Sequence, residues 1–144
     1  MPDALRVQAL KFLARREHSR AELRAKLAPH AESAEQLDLL LDALQAERLL
    51  SDQRYASQRV AARAGRFGNS RLKQELRTQG VGDEDIAAAV EAGGDEIERC
   101  RGVWQKKFGH GPASAEERAK QMRFLQYRGF SSEAIRRVLR GEEE

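Results

Sequence analysis

Two stretches of the chain, 49 residues apart, carry the same punctuation. One reads Leu76-Arg77-Thr78-Gln79-Gly80-Val81 and leads to Ile86 and Val90; the other reads Leu125-Gln126-Tyr127-Arg128-Gly129-Phe130 and leads to Ile135 and Leu139. In each, the isoleucine follows the glycine by six residues and a further apolar residue comes four later, the spacing of one helix face. Leu23-Arg24-Ala25-Lys26-Leu27 occupies the corresponding place earlier on, with a longer loop, Ala28 to Ala34, before the next helix. Leu23 precedes Leu76 by 53 positions and Leu76 precedes Leu125 by 49, a period of about 50. A unit of that size buries too little apolar surface to stand alone, and repeats of this length stack on their neighbours. The expectation is an all-α fold, an elongated array of three tandem three-helix repeats at residues 1–50, 51–93 and 94–144. The competing expectation is one globular bundle in which two turns resemble each other by accident.

No stretch alternates with the period of two that a half-buried strand requires. Leu5, Ala9, Phe12 and Leu13, then Leu37, Leu40, Leu41 and Leu44, then Ile86, Ala89 and Val90 recur at helical spacing. With 11 Gly and 3 Pro, the chain is also too poor in turn formers for a β-sandwich. Ser19-x-x-Glu22, Ser33-x-x-Gln36 and Ser114-x-x-Glu117 are capping-box patterns, and Asp52, Asp83 and Ser131 are candidate N-caps. Pro29, Gly80, Gly93-Gly94 and Gly129 mark helix ends. These signals predict eight or nine helices of about 8 to 16 residues.

A chain of 144 residues leaves little room for a catalytic scaffold with lids, and no catalytic constellation, cofactor motif or metal motif is visible in it. Cys100 has no partner cysteine and no local histidine, and its helical run Ile97-Cys100-Val103-Trp104 predicts a core or half-buried residue. His18, His30 and His110 are isolated, and His18 reads as a solvated residue at a helix end. Asp38 and Asp42, one helical turn apart, have the spacing to share a magnesium ion, which motivates a nuclease alternative; the wet face of an acidic helix is the simpler reading. Asp83-Glu84-Asp85 lacks the glycine and alternating oxygens of a calcium loop and suits a helix start. Gly65-Arg66-Phe67-Gly68 imitates a single-strand clamp without the flanking strands and reads as a helix-to-helix connection. No apolar run approaches a membrane span, no export signal is readable, and the single cysteine suits a reducing cytoplasm.

Charge is segregated by helix. Residues 1–30, 31–52, 53–80, 81–98, 99–140 and 141–144 carry net charges of +4, −5, +6, −7, +8 and −3. Arg15, Arg16, Arg20 and Arg24 surround the first turn; Arg59, Arg63, Arg66, Arg71 and Lys73 the second; Lys106, Lys107, Arg118, Lys120 and Arg123 the third. Stacked units would repeat this patch as a basic stripe suited to a polyanion or an acidic filament. Arginine outnumbers lysine, which favours bidentate contacts to phosphate or carboxylate. The competing reading is a set of solvated faces neutralised by the acidic helices of neighbouring units. Phe12, Phe67, Phe108, Phe124 and Phe130, with Trp104 and Met122, sit among apolar residues and read as core anchors. A direct DNA-binding module of helix-turn-helix type is the alternative function, motivated by the short turns at Arg15 to Ser19 and Phe67 to Ser70.

Read in order, several stretches resemble the RecX family of regulators of the bacterial RecA recombinase. They are Phe12-Leu13-Ala14-Arg15-Arg16-Glu17-His18-Ser19-Arg20-Ala21-Glu22-Leu23 with Lys26-Leu27, Leu49-Leu50-Ser51-Asp52-Gln53-Arg54-Tyr55-Ala56, Arg71-Leu72 to Glu75-Leu76 with Gly80-Val81, and Phe124 to Ser131 with Ile135 and Leu139. Ser51, where an acidic or amide residue is expected, and Asn69-Ser70, where proline is common, depart from the pattern. The resemblance implies three tandem three-helix repeats, and the expectation beside it is a monomeric, non-enzymatic, cytoplasmic protein. It also implies binding to the RecA nucleoprotein filament, with inhibition of filament growth, ATP hydrolysis and strand exchange in DNA repair, recombination and the SOS response. Contact of the basic faces with single- or double-stranded DNA is compatible with it.

Overall fold

The computed structural model describes residues 3–141, which contain nine α-helices and no strand. The helices are α1 (Ala4–Arg15), α2 (Arg20–Leu27), α3 (Ala34–Ala46), α4 (Asp52–Arg63), α5 (Asn69–Thr78), α6 (Asp83–Ala92), α7 (Glu96–Lys107), α8 (Ala115–Tyr127) and α9 (Ser132–Arg140). A single 3-10 turn, Ala28–His30, fills the longer loop of the first unit.

The serine of each predicted capping box caps its helix, while Gln36 and Glu117 reach back to the amide one residue further out, at Glu32 and Ala113. Ser19 Oγ accepts from the Glu22 amide at 3.0 Å, Ser33 Oγ from Gln36 at 3.0 Å and Ser114 Oγ from Glu117 at 3.1 Å. Ser131 caps α9 as expected. The other two assignments shift by one residue. Ser51 caps α4, accepting from the Arg54 amide at 3.1 Å, so Asp52 is the first helical residue. Gly82 flanks α6 without a side-chain cap, and Asp83 opens the helix, where its charge still complements the dipole.

Every substantial helix packing lies within α1–α3, α4–α6 or α7–α9. Each trio closes on its own apolar cluster. The first is a leucine core including Leu23, Leu27, Leu41 and Leu44; the second centres on Ala56, Leu72, Leu76 and Ile86; the third on Cys100, Leu125, Ala134 and Ile135. Separate cores make a long molecule. Its accessible surface of 8872 Å² exceeds the about 7,500 Å² expected of a compact monomer of this mass.

What joins the trios is repeated, and it explains the repeat in the sequence. At the first joint the Ser19 hydroxyl, besides capping α2, donates to the Gln79 carbonyl at 2.7 Å, while the Arg20 amide donates to Asp52 Oδ1 at 2.7 Å. At the second, the Gly68 amide donates to the Arg128 carbonyl at 2.8 Å, and the Asn69 amide donates to Glu96 Oε2 at 2.9 Å. Ser19 and Gly68, Arg20 and Asn69, and Gln79 and Arg128 are each 49 positions apart. Thus the start of each middle helix, with amides that no turn of its own helix can satisfy, docks on the glycine turn of the next unit. An acidic residue opening that unit's first helix accepts one of those amides. Gly80 (φ +77°) lies against Ala21, and Gly129 (φ +89°) against Arg71. Neither left-handed turn has room for a β-carbon.

His18 departs from its expected place. It is 2 % exposed, packed against Phe12, and bonded through Nδ1 to the Arg16 carbonyl at 3.1 Å and through Nε2 to Lys26 Nζ at 2.9 Å. An ammonium only donates, so Nε2 must accept and Nδ1 carries the proton. Burial, with the Arg16 and Lys26 charges beside it, holds the imidazole below its ordinary value of 6.5.

These placements set the stability expected of three variants. Gly129→Ala combines a left-handed penalty of about 1–2 kcal/mol with overlap against Arg71, and urea unfolding should show a loss of at least about 2 kcal/mol. Gly102→Ala in α7, where a new β-carbon meets no atom within 4 Å, should instead gain about 0.5–1 kcal/mol in the same assay. For His18 the unfolded state binds the proton more readily, so its contribution is complete above pH 6.5 and declines as pH falls below it. The melting temperature should drop from pH 7.5 to pH 5.5, and His18→Gln should flatten that drop.

Candidate polyanion-binding surface

The basic residues singled out from the sequence divide into paired and unpaired groups. In the first unit Arg16 meets Glu22 at 2.6 Å, Arg20 meets Asp42 at 2.7 Å and Arg24 meets Asp38 at 3.0 Å. The last two pairs cross from α2 to the acidic helix of the same unit, α3, rather than to a neighbouring unit. They also give Asp38 and Asp42 their partners, and the Arg24 guanidinium holds the Asp38 carboxyl below its usual range. In the second unit Arg59, Arg63 and Arg71 converge on Glu75 at 3.7, 2.6 and 3.6 Å. Such half-exposed pairs add little stability, but they neutralise the face that they cover.

No ion pair is recorded within the described residues for Arg15, Arg66, Lys73, Lys106, Lys107, Arg118, Lys120 or Arg123. Arg15 is exposed at the end of α1. Lys73 borders a polar recess with Arg77 and Glu96, and Arg118 a shallow one with Met122 and Arg136. Lys120 and Arg123 are exposed on α8. Arg66, Lys106 and Lys107 come together at the second joint, on a cleft of about 240 Å³. Arg128 completes its rim, and Gly65, Gly102, Val103 and Phe124 line the rest; no carboxylate is among the lining residues.

The aromatics are organised around these cations. Phe67, half-buried, has the guanidinium carbons of Arg63, Arg66, Arg71 and Arg128 at 4.4, 5.5, 4.4 and 5.4 Å from its ring centre. Phe124 holds Lys107 at 5.4 Å and Arg128 at 5.0 Å and packs edge-on against Phe108. Of the five phenylalanines only Phe130 is fully buried. Of the others, Phe12, Phe67 and Phe124 each present a face to a cation, an attraction that favours arginine over a ring, while Phe108 packs edge-on against Phe124.

Two positions at the second joint escaped the sequence reading. Arg128 directly precedes the turn glycine, as Gln79 does, so the repeat alignment places it at a joint. Arg99 carries no such signal, yet it reaches back across the second joint to the Ala64 carbonyl at 3.1 Å, the Phe67 carbonyl at 2.8 Å and the Asn69 side chain. Asn69, one of the departures noted above, is thereby bound on both its amide and its side chain.

Cys100 is fully buried, and burial pushes its thiol up to about 12, which leaves it protonated and unreactive near neutrality. No three metal-ligating side chains converge among the described residues, and no described helix is long and apolar enough to cross a membrane.

The chain matches, in order, the family descriptions "RecX, first three-helix domain" over residues 6–35, "RecX, second three-helix domain" over 51–90 and "RecX, third three-helix domain" over 94–139. It is 47% identical over 144 residues to a regulatory protein RecX of Ralstonia pickettii (strain 12J), covering 99% of this chain and 91% of that one. With a regulatory protein RecX of Leptothrix cholodnii it shares 49% identity over 138 residues, 95% of this chain and 88% of the relative. A crystal structure of RecX from Lactobacillus salivarius superposes with a TM-score of 0.83 at 19% identity, over 95% of this chain and 93% of that one, which speaks to the fold. Three matched domains in register with three helical trios, together with full-length relatives near half identity, place this chain in the RecX family of regulatory proteins.

Proposed function

We propose that this protein is a non-catalytic, cytoplasmic regulator that binds the RecA–single-stranded DNA filament and limits its growth, ATP hydrolysis and strand exchange. The observation that carries the proposal is an array of three units, taken as 1–50, 51–93 and 94–144, joined at equivalent places, with unpaired cations along the second joint and third unit. A polymer of identical protomers presents the same acidic or phosphate feature at regular intervals, and a repeated array engages several at once. Binding of linked units raises the effective concentration of each further contact, so weak individual contacts suffice.

The helix-turn-helix reading has less support. It would send the first turns of α2 and α5 into a major groove. Those turns begin at Ser19, which is fully buried, and Gly68, also buried, and both are bonded to the next unit.

Titrated at substoichiometric ratios against recombinase on single-stranded DNA, the protein should suppress ATP hydrolysis at few copies per filament. No effect alongside tight, sequence-selective duplex binding would favour the helix-turn-helix reading instead. Within the same assay, Lys120→Glu with Arg123→Glu should raise the half-inhibitory concentration roughly tenfold, since linked charges add. Arg20→Gln with Arg24→Gln should change it less than threefold, because Asp42 and Asp38 already neutralise those cations.

A further inference from the structure

We infer that the cleft at the second joint is a binding site for a single nucleic-acid strand, with phosphates held by Arg66, Lys106, Lys107 and Arg128 and a sugar or base laid against Phe124. The inference deepens the proposed function by naming what one site of the array would take.

Charge is the first support. Most arginines near the two joints already have a carboxylate, whereas the four cations of this cleft have none recorded and no acid lines it. Four uncompensated cations around about 240 Å³ repel one another, and a polyanion relieves that repulsion. Arg128 is fixed by donating to the Arg66 carbonyl at 3.1 Å, and it leans on both Phe67 and Phe124. Its guanidinium is thus positioned before any ligand arrives.

Glycine supplies the second, independent support. Gly102 lies inside α7, at a helical position where glycine is unfavourable, and nothing in the fold demands it: a β-carbon there would meet no atom within 4 Å. At Gly65, in the turn after α4 and also lining the cleft, a β-carbon would likewise meet no atom within 4 Å. Both therefore leave open space in one cleft, where a ligand can approach the backbone.

The wall chemistry selects a single strand. A duplex turns its phosphates outward and its bases inward, and offers no base face to Phe124. An unpaired strand offers sugar and base together with its phosphates, the combination that an aromatic among arginines recognises. An acidic peptide satisfies the cations but has no use for the apolar wall.

The test uses the full chain and a fluorescein-labelled oligothymidylate of about 16 nucleotides, followed by anisotropy over a range of salt. Neutralising four phosphates predicts a log–log slope near about −2.8. Lys106→Gln with Lys107→Gln should reduce it to about −1.4 and weaken binding at least tenfold. Gly102→Glu, which places a carboxylate in open space on an otherwise strengthened helix, should weaken it comparably while keeping the helical circular dichroism of the parent and a melting temperature no lower than the parent's. Equal affinity of parent and both variants would overturn the proposal, as would displacement of the strand by poly-glutamate at matched charge, or tighter binding of the matching duplex. Suppression of recombinase ATP hydrolysis is read on the same three proteins. Suppression by the parent without strand binding would overturn the cleft assignment and leave the filament reading standing. Strand binding without suppression would do the reverse.

Discussion

The molecule depends on how the first turn of a middle helix is satisfied. A helix start leaves amides with no partner in its own chain segment, and burying them bare is costly. Here the carbonyl before the next unit's turn glycine accepts from Ser19 or Gly68, and the acid that opens that unit's first helix accepts from Arg20 or Asn69. The bonds work only if the turn approaches closely, which is why Gly80 and Gly129 stand where they do. Fold and repeat thus share one cause. Without these docked amides there would be three small helical clusters on a string, each with a core too small to be secure alone.

The same geometry sorts the charges. Alternating basic and acidic blocks allow either neutralisation within a unit or between units, and the structure uses both in different places. Arg20 and Arg24 are neutralised within their own unit by α3, while Arg54 reaches across the first joint to Glu17 at 2.6 Å. Glu75 alone serves three arginines of its unit. In the third unit the balance fails: α7 ends in Lys106 and Lys107, and among the described residues no ion pair joins Glu116 or Glu117, in the first turn of α8, to Arg118, Lys120 or Arg123. The surplus collects at the second joint and beyond. A stripe of equal patches, as the sequence suggests, becomes a gradient of available charge.

The elements were legible because their signals are local. Serine caps at Ser19, Ser33 and Ser114, the turn glycines and the leucine spacing of α3 each act within a few residues, and each appears where expected. The repeat was legible for a less local reason, since the joint demands the same residues at the same places in successive units. What could not be read was whatever depends on an approach in space. His18 looked solvated because its neighbours in sequence are polar, yet Phe12 and Lys26 enclose it. Asp52 looked like a cap because Ser51 beside it has the same chemistry, and the choice between them is made by the Arg20 amide, 32 residues away. The basic residues were found, but pairing, and with it availability, is a tertiary property. Arg99 carried no periodic signal at all.

The two joints are not equally furnished. Beyond the bonds they share, the second adds the Arg99 clamp, the Arg128 bond to the Arg66 carbonyl, the Arg71 bond to the Tyr127 carbonyl and an amide from Ser70 to Gly129. The first adds one exposed ion pair, Arg54 with Glu17. Fewer bonds hold the first unit to the second than hold the second to the third, so the first joint resists bending less. The entropic cost of fitting any curved surface would then fall on the orientation of one terminal unit instead of on the whole array.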